Sequence, residues 1–243
     1  MKPKDYQFVE EVPTNLVQVP GPITGEFAKE LFEVYQDWKK NRFACNPTLK
    51  LRLQKGQLVH STVFDSHLVD QILQELGLPA RTLELEDLSD PRVLDLARER
   101  CYIDARNLAL RSTEDSRYLV NNPLAKLLRE HIDEKLPVLI KGVKLESNPK
   151  VEGYKGLVFV PRNDFKAISD DRLLEKYNRW RFTETDELGM PKDLDKTKGT
   201  RTWYTRKDGL SRLSLDGYLS LNSNDASLAN SSSAGLVFLK KAN

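Results

Sequence analysis

Residues 210–239 read LSRLSLDGYLSLNSNDASLANSSSAGLVFL. From Asp208 to Leu239 there is no Lys, Glu, Gln, Met or Trp; Lys and Glu are frequent just upstream, whereas the last Gln is Gln74 and the chain has only two Met and three Trp. Between Ser211 and Gly235 the chain is Ser, Asn, Asp, Ala, Gly and Tyr, apart from Arg212 and five leucines. The leucines come in pairs two residues apart, Leu213/Leu215 and Leu219/Leu221, with Leu228 alone; Leu236 and Phe238 repeat the spacing. A period of two sets each pair on one face of a short strand, toward a core. The polar residues between them are then displayed outward or in turns: Ser214, Asp216, Tyr218, Ser220, Asn222, Asn224, Asp225, Ser227, Asn230 and Ser232. One explanation is structural, since Asn, Asp and Gly take the backbone angles that long turns need. The other concerns binding. Antibody loops use the same residue types, because they hydrogen-bond adaptably and Tyr adds contact area at low entropy cost.

Working outward, the remaining chain is ordinary in bulk. The protein has 243 residues and 27.9 kDa, with 39% hydrophobic and 30% charged residues. That excludes collagen-like, coiled-coil and mostly disordered chains. The formal charge is +2, so bulk charge argues for neither a nucleic-acid nor a membrane-surface footprint. The average conceals a split. Of the 38 Lys and Arg residues only Arg212, Lys240 and Lys241 lie beyond Lys207, and three Asp residues match them there. No signal-peptide core and no apolar run long enough to span a membrane is present, so a cytoplasmic protein is expected. Packing into a virus particle is compatible with the same composition. Cys45 and Cys101 make no disulfide framework. Cys101 is expected as a buried free thiol.

The chain before residue 150 predicts a helix-rich mixture. Short strands are expected over 6–12 and 16–19, then a helix over 24–41 with Phe27, Leu31, Val34, Tyr35 and Trp38 on one face. Residues 48–54 and 57–64 alternate around Lys55-Gly56 as a β-hairpin. Asp65-Ser66 is the expected cap of a helix ending before Gly77. Residues 81–85 read as a strand. A long helix is expected from Ser89-Asp90-Pro91, with Leu94, Ala97, Cys101, Ala105 and Leu108 as its apolar stripe. A loop over 111–122, a helix after Pro123, strands over 137–145 and 156–160, a short helix over 170–178 and a charged surface loop over 183–200 complete the pattern. The expected class is α+β: a helix-rich mixed scaffold or docking domain over 1–150, and a mainly antiparallel β ligand-display domain over 151–243.

The common catalytic signatures are missing. No dinucleotide or phosphate-binding glycine loop and no nucleophile elbow occurs. No nucleophile–base pair stands out, so a non-catalytic protein without a cofactor is expected. His60, Asp65 and His67 fall close together in sequence but match no standard metal spacing, and no metal site is assigned. A basic, aromatic-laced stretch over 176–207 supplies an alternative. Lys176, Arg179, Trp180, Arg181, Arg201 and Arg206 interleave cations with rings, the mixture that binds single-stranded nucleic acid. Its structural counterpart is a set of core aromatics with snorkelling neighbours. A structural or assembly subunit, of phage origin, is a third reading.

A codon of the form adenine-adenine-pyrimidine, mutated at its adenines, yields Asn, Ser, Asp, Gly, Ala, Tyr, Arg and Leu but never Lys, Glu, Gln, Met or Trp. All five prohibited types are missing from 208–239, as are Cys, His, Ile, Pro and Thr, which such codons can give. Arg201-Thr-Trp203-Tyr-Thr-Arg206, then Gly209-Leu-Ser-Arg-Leu213, the Ser/Asn-rich run and Gly235-Leu-Val-Phe-Leu239 resemble the C-terminal variable region of C-type-lectin-fold proteins diversified by diversity-generating retroelements. The resemblance covers residues 201–243. In that family a tryptophan-bearing strand precedes the variable residues, and a Gly-apolar-Arg strand ends them; Val237 stands at the position of that Arg. The resemblance implies a non-catalytic surface whose variable side chains bind a protein or other macromolecular ligand. Trp203 and Tyr204 are its expected supporting aromatics.

Overall fold

The computed structural model describes residues 20–98, 101–115, 117–224, 227–231 and 233–242. The strands expected over 6–12 and 16–19 lie outside them. Strand β1 is Gly21–Pro22. Helix α1 (Gly25–Asn41) buries Phe27, Leu31, Val34, Tyr35 and Trp38, the face its spacing predicts. Strands β2 (Arg52–Gln54) and β3 (Gln57–Val59) pair antiparallel. Lys55 and Gly56 join them with φ of 50° and 74°, as a type I′ hairpin turn requires. Helix α2 (Val63–Glu75) begins earlier than expected. Thr62 is its cap and Asp65 its third residue. The two form a capping box, with Asp65 N donating to Thr62 Oγ1 and Thr62 N to Asp65 Oδ2.

Strand β4 is Ala80–Thr82, and α3 (Pro91–Ala97) is capped by Asp90. The long helix expected to reach Leu108 stops there. Tyr102–Leu110 is instead strand β5, the central strand of the larger sheet. Ile103, Ala105 and Ala109 enter one hydrophobic cluster, while Leu108 and Leu110 enter the other. A strand buried on both faces shows no alternation of polarity, so its small and branched apolar residues can mimic a helical stripe.

Helix α4 (Asn122–Arg129) carries Pro123 in its first turn. Strands β6 (Val138–Ser147) and β7 (Leu157–Ser169) form a long antiparallel hairpin around residue 150. The short helix expected over 170–178 is two 3₁₀ turns, Asp171–Leu173 and Glu175–Tyr177, separated by an extended Leu174. The remaining strands are β8 (Trp180–Phe182), β9 (Arg201–Tyr204), β10 (Leu210–Leu215), β11 (Leu221–Asn222), β12 (Gly235–Leu236) and β13 (Phe238–Lys241).

The architecture is mixed α+β. One sheet runs β2-β3-β12-β5-β10-β11-β9-β8, with β6 and β7 attached through β5; a second runs β1-β13-β4. Strands from both sides of residue 150 therefore share one sheet. One edge of β5 pairs with β10 from Leu110 to Ile103. The other edge is divided. Tyr102 and Ile103 pair in parallel with β12, and residues 108–110 pair with β6. Between these, Arg106 N donates to Leu83 O at 2.9 Å, and Asn107 Oδ1 accepts from Leu85 N at 2.5 Å. Among the described residues no helix is long and apolar enough to cross a membrane.

Buried charges tie the layers together. Asp70 on α2 pairs with Arg106 of β5 at 2.7 Å and Arg162 of β7 at 3.1 Å. Arg106 also reaches Glu84 at 2.8 Å, and Lys141 of β6 reaches Glu84 at 3.1 Å and Glu86 at 2.9 Å. Burial alone raises the pKa of the Glu84 carboxyl, but Arg106, a hydrogen bond with Glu86 and Lys141 outweigh it and bring it to about 2. A carboxyl lowered by folding gives stability that is full above the ordinary carboxylate range and is lost as pH falls toward 2. The stability difference between wild type and Glu84→Gln should therefore be constant near neutrality and shrink as pH falls from about 5 toward about 2. Urea unfolding of both proteins across that range checks it; a difference that grows on acidification contradicts the pairing.

Candidate ligand-binding face

Strand β10 lies between β5 and β11, and all six of its residues are buried. Leu213 and Leu215 enter the hydrophobic cluster that holds Trp203 and Leu221. This corrects the expectation that the small polar residues are all displayed outward. Ser214 is only 4% exposed and Ser220 only 5%. Trp203 is no surface aromatic either. It is fully buried, and its Nε1 donates to Arg172 O at 2.8 Å. Pairing at both edges leaves β10 its two faces: Leu213 and Leu215 enter the apolar cluster, while Arg212 and Ser214 line a depression with little exposure.

What the run builds is a concavity. A pocket of about 460 Å³ is lined on one side by Arg212, Ser214, Asp216, Asn222, Asn224 and Asn230. Tyr102, Arg117, Tyr118 and Ser231 also line it. Five of the expected contact residues thus meet there. Tyr218 is 90% exposed and lines a neighbouring pocket of about 620 Å³ with Arg98, Cys101 and Tyr102. Tyr204 and Asn224 line a third, of about 430 Å³. Ser227 is half-buried and lines none of these three. Asp225 and Ser232 lie outside the described residues.

Local hydrogen bonds fix the shape. Asp216 accepts from Tyr218 N at 2.9 Å, Ser220 N at 3.0 Å and Asn222 Nδ2 at 3.0 Å. Its carboxylate is therefore spent on an Asx-type turn that projects Tyr218. Arg212 lies buried in the pocket wall, with Nη1 donating to Asp104 at 2.7 Å and to Asn230 O at 3.3 Å. Gly235 packs directly on Tyr102, where a Cβ would come within 2.4 Å of the ring.

Arg111, which its sequence context gave no reason to single out, anchors the whole segment. Its side chain is buried, and among the described residues its hydrogen-bond partners are hydroxyls and one backbone carbonyl. Nε donates to Leu173 O at 2.6 Å and Nη1 to Ser211 Oγ at 2.8 Å. Nη2 donates to Thr205 Oγ1 at 2.7 Å and Ser223 Oγ at 2.6 Å. Burial, with the positive charge of Arg206 adding, lowers its pKa to about 9. It lies in a segment that reads as polar loop, and its hydroxyl partners are scattered over 205–223, so no spacing announces it.

The basic stretch is largely occupied by the fold. Arg181 donates to Gly199 O at 3.0 Å. Arg201 is buried and donates to Leu219 O at 2.9 Å and Ser89 Oγ at 3.2 Å; burial lowers its pKa to about 10. Arg206 pairs with Asp115 at 2.5 Å and Asp208 at 3.3 Å. Trp180 packs edge-on against Tyr177 at 5.0 Å. Lys176 and Arg179 are exposed.

The residues weighed for a metal are separated in role. Asp65 is buried and accepts from Tyr35 Oη at 2.5 Å, Thr62 Oγ1 at 2.7 Å and Lys50 N at 3.1 Å. His67 is buried against Phe159, and burial pushes its pKa down to about 3. Among the described residues no group of three His, Cys, Asp or Glu could hold a metal ion. Cys101 is a buried free thiol, and Cys45 is exposed. Compared with known protein families, curated proteins and solved structures, the chain matches none of them.

Anchor and rim should respond differently to substitution. Arg111→Met removes four hydrogen bonds and is expected to cost about 3 kcal/mol. Tyr218→Ser and Asn224→Ala are expected to stay within about 0.5 kcal/mol of wild type, as exposed positions do. Urea unfolding measures all three; an Arg111→Met protein as stable as wild type contradicts the anchor.

Proposed function

We propose that the protein is a non-catalytic binding protein. It holds a protein or other macromolecular ligand on the concave face built from its Ser/Asn-rich C-terminal run. The carrying observation is the division of labour within 213–230. Leu213, Leu215, Leu221 and Leu228 are fully buried, whereas Ser214, Asp216, Asn222, Asn224 and Asn230 line one pocket and Tyr218 stands exposed beside it. Side chains at the pocket rim can change while the buried leucines keep the segment folded. An amide- and hydroxyl-rich lining with an exposed Tyr is the composition adaptable binding surfaces use.

The likeness to C-type-lectin-fold variable proteins belongs to the same proposal. It is supported by the Trp203-bearing strand before the run and by the Gly235–Leu236 strand after it. Val237, at the family's Arg position, is buried in the apolar core. Diversification is tested by sequencing the DNA around the encoding gene. The expected result is a nearby near-copy of the segment encoding 208–239, differing mainly at adenines, with a reverse-transcriptase gene beside it. A single copy with no reverse transcriptase nearby overturns diversification.

A further inference from the structure

The depressions of the face differ in charge. The pocket of about 430 Å³ is lined by Arg117, Arg179, Arg206 and Lys207 against only Glu175 and Asp208 among its charged residues. Arg206 is neutralised by Asp115 and Asp208. The other three cations are exposed, and no ion pair among the described residues engages them. Arg117 and Asn224 line both this pocket and the amide-rich one, so the two adjoin across these side chains.

The shared wall is built in advance. Asp115 is fully buried at its side chain and accepts from Arg117 N at 2.8 Å and Tyr118 N at 2.9 Å while pairing with Arg206. The Arg117 and Arg206 guanidiniums lie 5.3 and 5.7 Å from the Tyr118 ring centroid. Gly209, at φ 77°, leaves the room that this arrangement needs; a Cβ there would meet Asp115 Oδ2 at 2.5 Å. A rim fixed before binding loses little freedom when a ligand arrives.

We propose that this pocket seats a carboxylate of an acidic peptide segment on the protein partner. Arg117, Arg179 and Lys207 supply charge-assisted hydrogen bonds, and Asn222 and Asn224 contact the flanking peptide amides. The inference rests on the binding function proposed above. A protein is favoured over a nucleic acid for two reasons. Trp203 is buried, and half-buried Trp180 has Tyr177 edge-on to it and the Lys196 ammonium 5.7 Å from its ring centroid, so neither indole stands free as a stacking platform. Arg181 and Arg201 spend donors on backbone carbonyls.

The test titrates the full chain against fluorescein-labelled octaglutamate, octaglutamine and oligothymidylate, read by anisotropy at about 50 mM salt, where the Debye length exceeds ~10 Å. Octaglutamate is expected to bind more tightly than the other two. Arg179→Gln/Lys207→Gln is expected to weaken it about tenfold, roughly the size of one charge-assisted hydrogen bond, with no change in unfolding midpoint. Octaglutamate binding no tighter than octaglutamine, or unchanged in the double variant, overturns the carboxylate site. Tighter binding of oligothymidylate overturns it in favour of a phosphate site. The template repeat in the gene is read independently, so the carboxylate site can fail while the binding face stands.

Discussion

One buried cation ties the C-terminal run to the body where the pairing of β10 with β5 ends. Arg111 sits just beyond the end of β5 and donates to groups at residues 173, 205, 211 and 223. A guanidinium taken out of water costs several kcal/mol unless its donors are satisfied. Here hydroxyls and one carbonyl satisfy them, so the charge is tolerated only while all four segments stay in register. Ser211 and Ser223 therefore belong to the scaffold, although their composition makes them look like neighbours of the displayed serines.

The sequence was legible wherever one face met water. Helix α1 keeps a wet side, and its apolar positions stand out at helical spacing. The β2–β3 hairpin is announced by Lys55-Gly56. Legibility failed at β5, where both faces are buried and the polar residues are hidden by pairing: Asp104 with Arg212, and Arg106 with Asp70 and Glu84. It slipped by a few residues at α2, because Asp65 is as good a cap in composition as Thr62. The Thr62–Asp65 reciprocity decides between them.

The candidate face was half legible. The period-two leucines correctly marked the core positions Leu213, Leu215 and Leu221. They did not mark which intervening residues are covered by the neighbouring strands. That depends on β5 and β11 flanking β10, a non-local fact. The opposite side of the pocket, Arg117 and Tyr118, comes from a loop about which the run itself carries no information. Likewise, Arg201 and Arg206 read as surface cations because their partners Leu219, Asp115 and Asp208 are set by tertiary structure.

The divided edge of β5 has a consequence for how the chain is made. Residues 102–103 receive their parallel partner from 235–236. On a ribosome working at ~5–20 residues per second, that partner arrives on the order of ten seconds after β5. Until then a buried-type strand has an unpaired edge, which can template association with another chain. The late-arriving segment is suited to that interval. From Asp208 to Gly235 it contains no Val, Ile or Thr, so it is a poor recruit for cross-β stacking. The same composition that tolerates side-chain change at the rim thus also makes this segment itself a poor partner for such an edge on another chain.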